Sequence, residues 1–172
     1  MLLVRHAESA WNELFGRSRI DPGLPDPDLT ARGMRQAEAA VELLRQESVR
    51  RLITSPYRRA LQTATIVAGA LGVPIVAVEP LVRERCAFSC DQGSHPEVLR
   101  RDWPGLDFSA LEPVWWGGLI ESNQSLIARC AAFRAKMAAV PDPAGLAVIS
   151  HWGFIRALTG HELANGGCVR LG

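Results

Sequence analysis

Three short apolar segments, each ending in a polar residue, constrain the fold of this chain most. They are "LLVRH" at the start, "RLITSP" near residue 52 and "LAVISH" near residue 148. Apolar runs of this length are typical of strands buried on both faces of a parallel sheet. A fourth run, "VPIVAVEP", is interpreted as a further strand. With helical patterns between the strands, the sequence predicts an α/β fold, a three-layer sandwich with a mostly parallel central sheet flanked by helices.

The helical segments carry recognisable ends. Thr30 is a good N-cap residue for the first, Ser55 is expected to cap the second, and Gly72 ends the second. In the third helix, side chains at helical spacing are expected to face the core: Leu126, Cys130, Phe133 and Met137. The four predicted helices lie at about residues 30–47, 56–72, 122–140 and 153–159.

Residues 86–121 interrupt this alternation. They are rich in glycine, proline and aromatic residues, and their apolar positions follow no clear period. We interpret them as an irregular, cap-like excursion of one domain that spans residues 1–172. Trp115 and Trp116 form either a wall for the substrate or packing that holds the excursion on the core.

The amino-acid composition indicates which classes of binding partner to expect. A net charge of +1 gives no reason to expect nucleic acid or an acidic membrane, and no apolar stretch is long enough to cross a bilayer. Charges interrupt the N-terminus before a signal peptide develops, and the four cysteines form no C-x-x-C pair, so a cytoplasmic location is expected. Four histidines without clustered carboxylates or cysteines indicate no metal site. An exposed aromatic patch around Trp115 would support a homodimer.

Polar groups at the strand ends point to a site. Arg5 and His6 follow the first strand, Ser55 and then Arg58 follow the second, and His151 follows the "LAVIS" strand. Because the carboxyl ends of parallel strands share one edge of the sheet, these groups are expected to converge in one crevice.

The residue types in this cluster suit phosphoryl transfer. Two arginines match a phosphate dianion, and a neutral imidazole is a competent nucleophile toward phosphorus. Glu84 could protonate the departing alkoxide and later activate water. The alternatives for this carboxylate are simple ion pairing in "VRER" or replacement by the nearby Glu79.

Four blocks of the sequence closely resemble the histidine phosphatase superfamily, the phosphoglycerate mutase-like family. They are "VRHAES-WN", "LTARGMRQAEAA", "SPYRRALQTATI" and "VISHWGFIRALTG", in the family's order. The resemblance implies a phosphoglycerate mutase-like fold, phosphorylation of His6 and proton donation by Glu84. The residues it implies for holding the phosphoryl group are Arg5, Asn12, Arg58 and His151. Asn12 has an alternative role as the cap of a turn.

The expected reaction is hydrolysis of a phosphate monoester on a small molecule, without metal or cofactor. Phosphoglycerate mutases of this family are longer, with more material to exclude water, and on that ground a phosphatase is favoured. The alternatives are mutase-type transfer and a non-catalytic protein that binds a phosphorylated ligand. Arg17 or Arg19 is expected to meet a second anionic group of the substrate, and the pH optimum is expected to be acid to neutral.

Overall fold

A computed structural model describes all 172 residues. Five strands form one sheet: β1 (Leu2–Arg5), β2 (Arg51–Thr54), β3 (Ile75–Val78), β4 (Leu146–Ser150) and β5 (Cys168–Arg170). Their order across the sheet is β3-β2-β4-β1-β5. The first four are parallel, and β5 pairs antiparallel to β1. The predicted α/β fold with a mostly parallel sheet is confirmed, and the three-residue β5 is an edge strand that the sequence pattern did not indicate.

Six helices surround the sheet: α1 (Ala10–Ser18), α2 (Ala31–Gln46), α3 (Arg58–Leu71), α4 (Pro96–Asp102), α5 (Asn123–Ala138) and α6 (Trp152–Thr159). Four of them correspond to the predicted helices, while α1 and α4 were not predicted. None of the six is both long and apolar enough to cross a membrane.

The two faces of the sheet carry separate halves of the core. Leu3 and its register partner Val148 belong to a cluster that includes Phe133 of α5 and Phe154 of α6. On the opposite face, Val4 and its partner Ile149 pack among side chains of α2 and α3. This division follows from the alternation of side chains along a strand. It confirms the three-layer arrangement.

The excursion at residues 86–121 lies on the core through an aromatic cluster. Trp115 is only 6% exposed, and its ring centroid lies 4.6 Å from that of Tyr57. Phe108 and Leu99 are buried in the same cluster. The predicted exposed patch around Trp115 is therefore wrong: this ring holds the excursion in place, because the irregular segment has no sheet to supply its packing.

Of the three predicted helix ends, two are confirmed and one is corrected. Gly72 is the C-cap of α3 in the left-handed conformation, as predicted. Thr30 Oγ1 accepts a hydrogen bond from the Gly33 backbone N–H at 2.9 Å, as predicted for an N-cap. Ser55 does not cap α3, since that helix begins three residues later, after Tyr57. The hydroxyl of Ser55 is instead bonded to His151.

Candidate active site

The site lies at the carboxyl ends of three adjacent strands. In the sheet order, β4 lies between β2 and β1, so His151 at the end of β4 lies between Ser55 and His6. The pairing continues past the strands: the His6 N–H donates to Ser150 O at 2.9 Å, and the Ser55 N–H donates to Ile149 O at 3.0 Å. The sheet register thus brings together residues that are far apart in sequence.

The two histidines are in contact. Their ring centroids are 4.9 Å apart with an interplanar angle of 54°, and the residues are 3% and 0% exposed. The Nδ1 atom of His6 lies 2.7 Å from Ala7 O. A carbonyl oxygen only accepts hydrogen bonds, so Nδ1 carries the proton. In the neutral ring, Nε2 of His6 is then left with a free lone pair.

Two buried polar atoms of this cluster lack a partner within the protein. They are Nδ1 of His151 and Nε of Arg5, and they are the only two such buried side-chain atoms in the structure. The other ring nitrogen of His151 lies 2.7 Å from Ser55 Oγ, and Nη1 of Arg5 donates to Leu163 O at 2.7 Å. Buried polar groups are almost always hydrogen-bonded, so two unpaired atoms in one cluster indicate a place for a polar ligand.

The electrostatic setting keeps both rings neutral. Burial lowers the pKa of His6 well below its usual range, and the guanidinium groups of Arg59 and Arg5 lower it further. Burial, followed by Arg59, likewise lowers the pKa of His151. A neutral imidazole is the nucleophilic form, so the surroundings of His6 favour the state that chemistry at phosphorus requires.

The second arginine of the site is Arg59 and not the predicted Arg58. Arg59 lines the pocket beside Arg5 and His6 and is 2% exposed. Arg58 does not line it; its guanidinium pairs with Asp28 at 2.7 Å and with Asp102 at 2.5 Å. The prediction for Arg58 is corrected because neighbouring helical residues point about 100° apart, and the short strand-end motif does not determine which of them faces the crevice.

Asp91 fixes the position of Arg59. One carboxylate oxygen of Asp91 accepts from Nη2 of Arg59 at 3.2 Å, and Nη1 of Arg59 donates to Cys90 O at 2.7 Å. The other carboxylate oxygen accepts the backbone N–H groups of Ala87 and Phe88, each at 3.1 Å. The first turn of the excursion therefore orients the arginine, a role of Asp91 that sequence reasoning missed.

Glu84 lies in the same pocket, at the N-terminus of α6. Its carboxylate accepts the N–H groups of Gly153 at 3.1 Å, Phe154 at 3.2 Å and Arg85 at 2.7 Å. Burial, with Asp91 as the next cause, nevertheless raises the pKa of Glu84. The alternative carboxylate, Glu79, does not line the pocket and forms an ion pair with Lys136.

Asn12 takes part in the cap of α1 and also lines the pocket. Its Oδ1 accepts from the Ser9 N–H at 3.1 Å and completes the capping box of α1. Oδ1 also lies 3.3 Å from Nδ2 of Asn165, which donates to His6 O at 3.1 Å. All of these bonds of Asn12 involve its oxygen, so its amide N–H₂ is available to a ligand in the pocket that it lines.

The pocket itself has a volume of about 480 Å³. Arg19 lines it, whereas Arg17 lies outside and pairs with Glu13. His151 is in contact with His6 but is not among the residues that line the pocket. No group of three or more His, Cys, Asp or Glu side chains is placed to hold a metal ion.

A family comparison agrees with this geometry. The model of the histidine phosphatase superfamily, branch 1, matches residues 1–166. The chain belongs to this superfamily. The resemblance seen in four sequence blocks is thus confirmed, and relatives in the superfamily include both phosphatases and mutase-like proteins.

Two curated relatives illustrate this range. A probable phosphoglycerate mutase GpmB of Yersinia enterocolitica is 40% identical over 84 residues, or 49% of this chain. The phosphoserine phosphatase 1 of Hydrogenobacter thermophilus is 37% identical over 82 residues, or 48% of this chain. Each match covers only 37% of the relative's length.

Solved histidine phosphatases share the fold. A mycobacterial glucosyl-3-phosphoglycerate phosphatase, in complex with VO3, aligns with a TM-score of 0.66 over 98% of this chain and 88% of its own. Its sequence identity is 22%, so the likeness concerns the fold alone.

Proposed function

We propose that the protein hydrolyses phosphate monoesters through a phosphohistidine on His6. The observation that carries the proposal is the hydrogen bond between His6 Nδ1 and Ala7 O, which leaves a lone pair on Nε2. Two unpartnered buried atoms, on His151 and Arg5, belong to the same cluster. A phosphoryl group provides the oxygens that these nitrogens lack.

In the first step, the Nε2 lone pair of His6 attacks phosphorus and the ester P–O bond breaks. The departing oxygen takes a proton from Glu84, whose raised pKa favours the protonated acid. Arg5 and Arg59 balance the charge on the phosphoryl oxygens. In this mechanism the ring proton of His151 is on Nδ1, the nitrogen without a protein partner, and it is donated to one of these oxygens. Nε2 of His151 then accepts from the Ser55 hydroxyl, which lies 2.7 Å away.

In the second step, the Glu84 carboxylate takes a proton from water. The resulting hydroxide attacks phosphorus, the N–P bond breaks, and inorganic phosphate leaves. Glu84 ends the cycle protonated and His6 ends it neutral, so the starting state is restored. The arginines supply the positive charge throughout, and no step requires a metal ion.

The same phosphohistidine would also serve a mutase, which returns the group to a second hydroxyl. The similarity to a probable phosphoglycerate mutase favours this second candidate. The mouth of the pocket favours hydrolysis, because the side chains of Phe88 and Arg19 there are exposed and leave water a path to His6.

The test is to follow both phosphate release and the covalent intermediate. With p-nitrophenyl phosphate, wild-type protein should release inorganic phosphate. Protein denatured during turnover should carry an acid-labile, alkali-stable phosphoryl group that mass spectrometry assigns to His6. The His6→Ala variant should lose both signals, because it removes the nucleophile.

The matched control is His161→Ala, which removes an exposed histidine outside the pocket and should retain both signals. Normal turnover by His6→Ala would contradict the mechanism. Interconversion of phosphoglycerates that exceeds phosphate release would favour the mutase. Vanadate binding without any phosphate release would support the non-catalytic binding protein.

A further inference from the structure

Three aromatic rings form a wall of the pocket that the phosphoryl chemistry does not use. Trp11 and Phe15, both on α1, are stacked at 4.4 Å with an interplanar angle of 12°. Phe88, from the excursion, lies 5.1 Å from Trp11 and 5.4 Å from Phe15. All three line the same pocket as His6. We refer to these three rings as the aromatic wall.

Asp21 joins the two segments that carry the aromatic wall. Its carboxylate accepts hydrogen bonds from Nε1–H of Trp11 at 2.9 Å and from the backbone N–H of Ser89 at 2.8 Å. It also accepts one from the Ser89 hydroxyl. The Asp21 carboxylate therefore fixes the positions of Trp11 and Phe88 relative to each other before a ligand binds. Pre-ordered binding surfaces lose less entropy when a ligand binds.

The aromatic wall is also fixed relative to the phosphate end of the pocket. The Phe88 N–H donates to the carboxylate of Asp91, which holds Arg59 through its other oxygen. One carboxylate thus sets the spacing between an aromatic ring and a phosphate-binding guanidinium. This arrangement suits a substrate in which a flat ring lies a short distance from the phosphate.

Exposure within the aromatic wall shows which ring has area left to bury. Trp11 is 7% exposed, but Phe88 is 44% exposed at the mouth of the pocket. A ligand ring placed against Phe88 would remove apolar surface from water and add an aromatic contact. A small anionic alcohol, such as that of a phosphoglycerate, would leave this ring uncovered.

We propose that the preferred substrates are phosphate monoesters whose alcohol carries a flat aromatic ring, which packs on the aromatic wall through Phe88. This inference rests on the proposed phosphatase function and specifies the leaving group. The competing arrangement is a second anionic group bound by Arg19 and Arg85 at the same mouth. In the structure, Arg19 lies over the Phe15 ring at 5.9 Å and Arg85 donates to Glu121 O at 3.3 Å.

The experiment compares 2-phenylethyl phosphate with propyl phosphate, because both release an alkoxide of similar basicity. Wild-type protein should show a kcat/KM roughly tenfold higher for the aromatic ester, mainly through a lower KM. In Phe88→Ala, the ratio should fall below about threefold. The control Leu119→Ala removes an apolar side chain that is 74% exposed and outside the pocket, and it should retain the wild-type ratio.

The outcomes separate this inference from the function on which it rests. Equal kcat/KM for the two esters in wild-type protein would overturn the aromatic preference and leave the phosphatase intact. A kcat/KM for 3-phosphoglycerate above that for 2-phenylethyl phosphate would also overturn it, in favour of the arginines. Absence of hydrolysis with every ester would remove the proposed function itself. The wild-type ratio decides the question even if Phe88→Ala folds poorly.

Discussion

Two adjacent arginines have different surroundings, and only one of them lines the pocket. Arg58 pairs with Asp28 and Asp102 and lies 5.2 Å from the centroid of the Trp103 ring, at the protein surface. Arg59 is buried against Asp91 and faces the pocket. The two side chains are chemically identical and differ in the direction in which they project from α3.

This difference predicts that the same substitution lowers activity at one position and has little effect at the other. Arg59→Lys should lower kcat/KM for a phosphate monoester roughly 10- to 100-fold, because lysine retains the charge but cannot reproduce the planar fork. Arg58→Lys is the matched control and should remain within about threefold of wild type, since Arg58 does not line the pocket. Steady-state kinetics on the two variants checks this prediction. Equal losses in both would contradict the placement of Arg59 in the site.

Glu84 yields a prediction for the pH profile. The acid limb of kcat/KM should follow protonation of His6, whose pKa is lowered by burial and by the arginines. The alkaline limb should follow loss of the Glu84 proton, whose pKa is raised by burial. Both shifts increase the fraction of protein in which Glu84 is protonated while His6 is neutral. An acid-to-neutral optimum is therefore expected, and a rate that still rises at about pH 9 would contradict it.

The leaving group gives an independent check on Glu84. Glu84→Gln should lower kcat/KM for an alkyl phosphate about 100-fold or more, because a basic alkoxide needs a proton as it departs. The loss should be much smaller with p-nitrophenyl phosphate, whose leaving group is weakly basic. Equal losses for both esters would show that Glu84 does not act as the proton donor.

At the scale of elements, the junction of β4 and α6 organises the site. The strand ends beside His151, and the helix then presents the N–H groups of Gly153 and Phe154 to Glu84. A Cβ atom at Gly153 would lie 2.5 Å from Glu84 Oε1 and 3.3 Å from Arg85 Cβ. Glycine at this position therefore allows the carboxylate to approach the helix end.

Gly153→Ala should accordingly displace Glu84 and lower kcat/KM for an alkyl phosphate more than about tenfold, while thermal stability changes little. The control is Gly69→Ala in α3, where a Cβ would meet nothing within 4 Å. That variant should keep wild-type activity and gain up to about 1 kcal/mol from helix propensity. Kinetics and thermal unfolding of both variants test this, and full activity in Gly153→Ala would contradict the role of the close approach.

At the scale of the whole molecule, two buried neutral histidines couple stability to pH. The pKa values of His6 and His151 are lowered by burial in the folded state, so the unfolded chain takes up these protons first as the pH falls. Their contribution to stability is complete above the unfolded pKa of about 6.5 and decreases below it. Glu84 and Asp26, whose pKa values are raised by burial, act in the opposite direction.

The free energy of unfolding should therefore depend less on pH in His6→Asn than in wild-type protein. Each histidine adds a slope of at most about 1.4 kcal/mol per pH unit below about pH 6.5. Urea denaturation at several pH values between 7.5 and 5.5 measures this slope. His161→Asn, at an exposed position, should retain the wild-type slope. An unchanged slope in His6→Asn would mean that the folded ring takes up its proton normally.

Local patterns in the sequence determined the fold class and the main elements of the site. Apolar runs and helical spacing predicted four parallel strands and four of the six helices, and the strand ends placed His6 and His151 at one edge. These features could be predicted because strand period, helix period and the shared carboxyl edge of a parallel sheet are properties of short segments. The contact between the two rings follows from the adjacency of β1 and β4.

Only the tertiary structure decided which neighbouring side chain faces the pocket and what surrounds it. The choice of Arg59 over Arg58 depends on the rotation of α3 against the sheet, and the burial of Trp115 depends on how the excursion packs. The contact of Phe88 with Trp11 joins segments more than 70 residues apart through the carboxylate of Asp21. Such contacts have no period or motif in the sequence, because they arise from the packing of segments that meet only after the chain has folded.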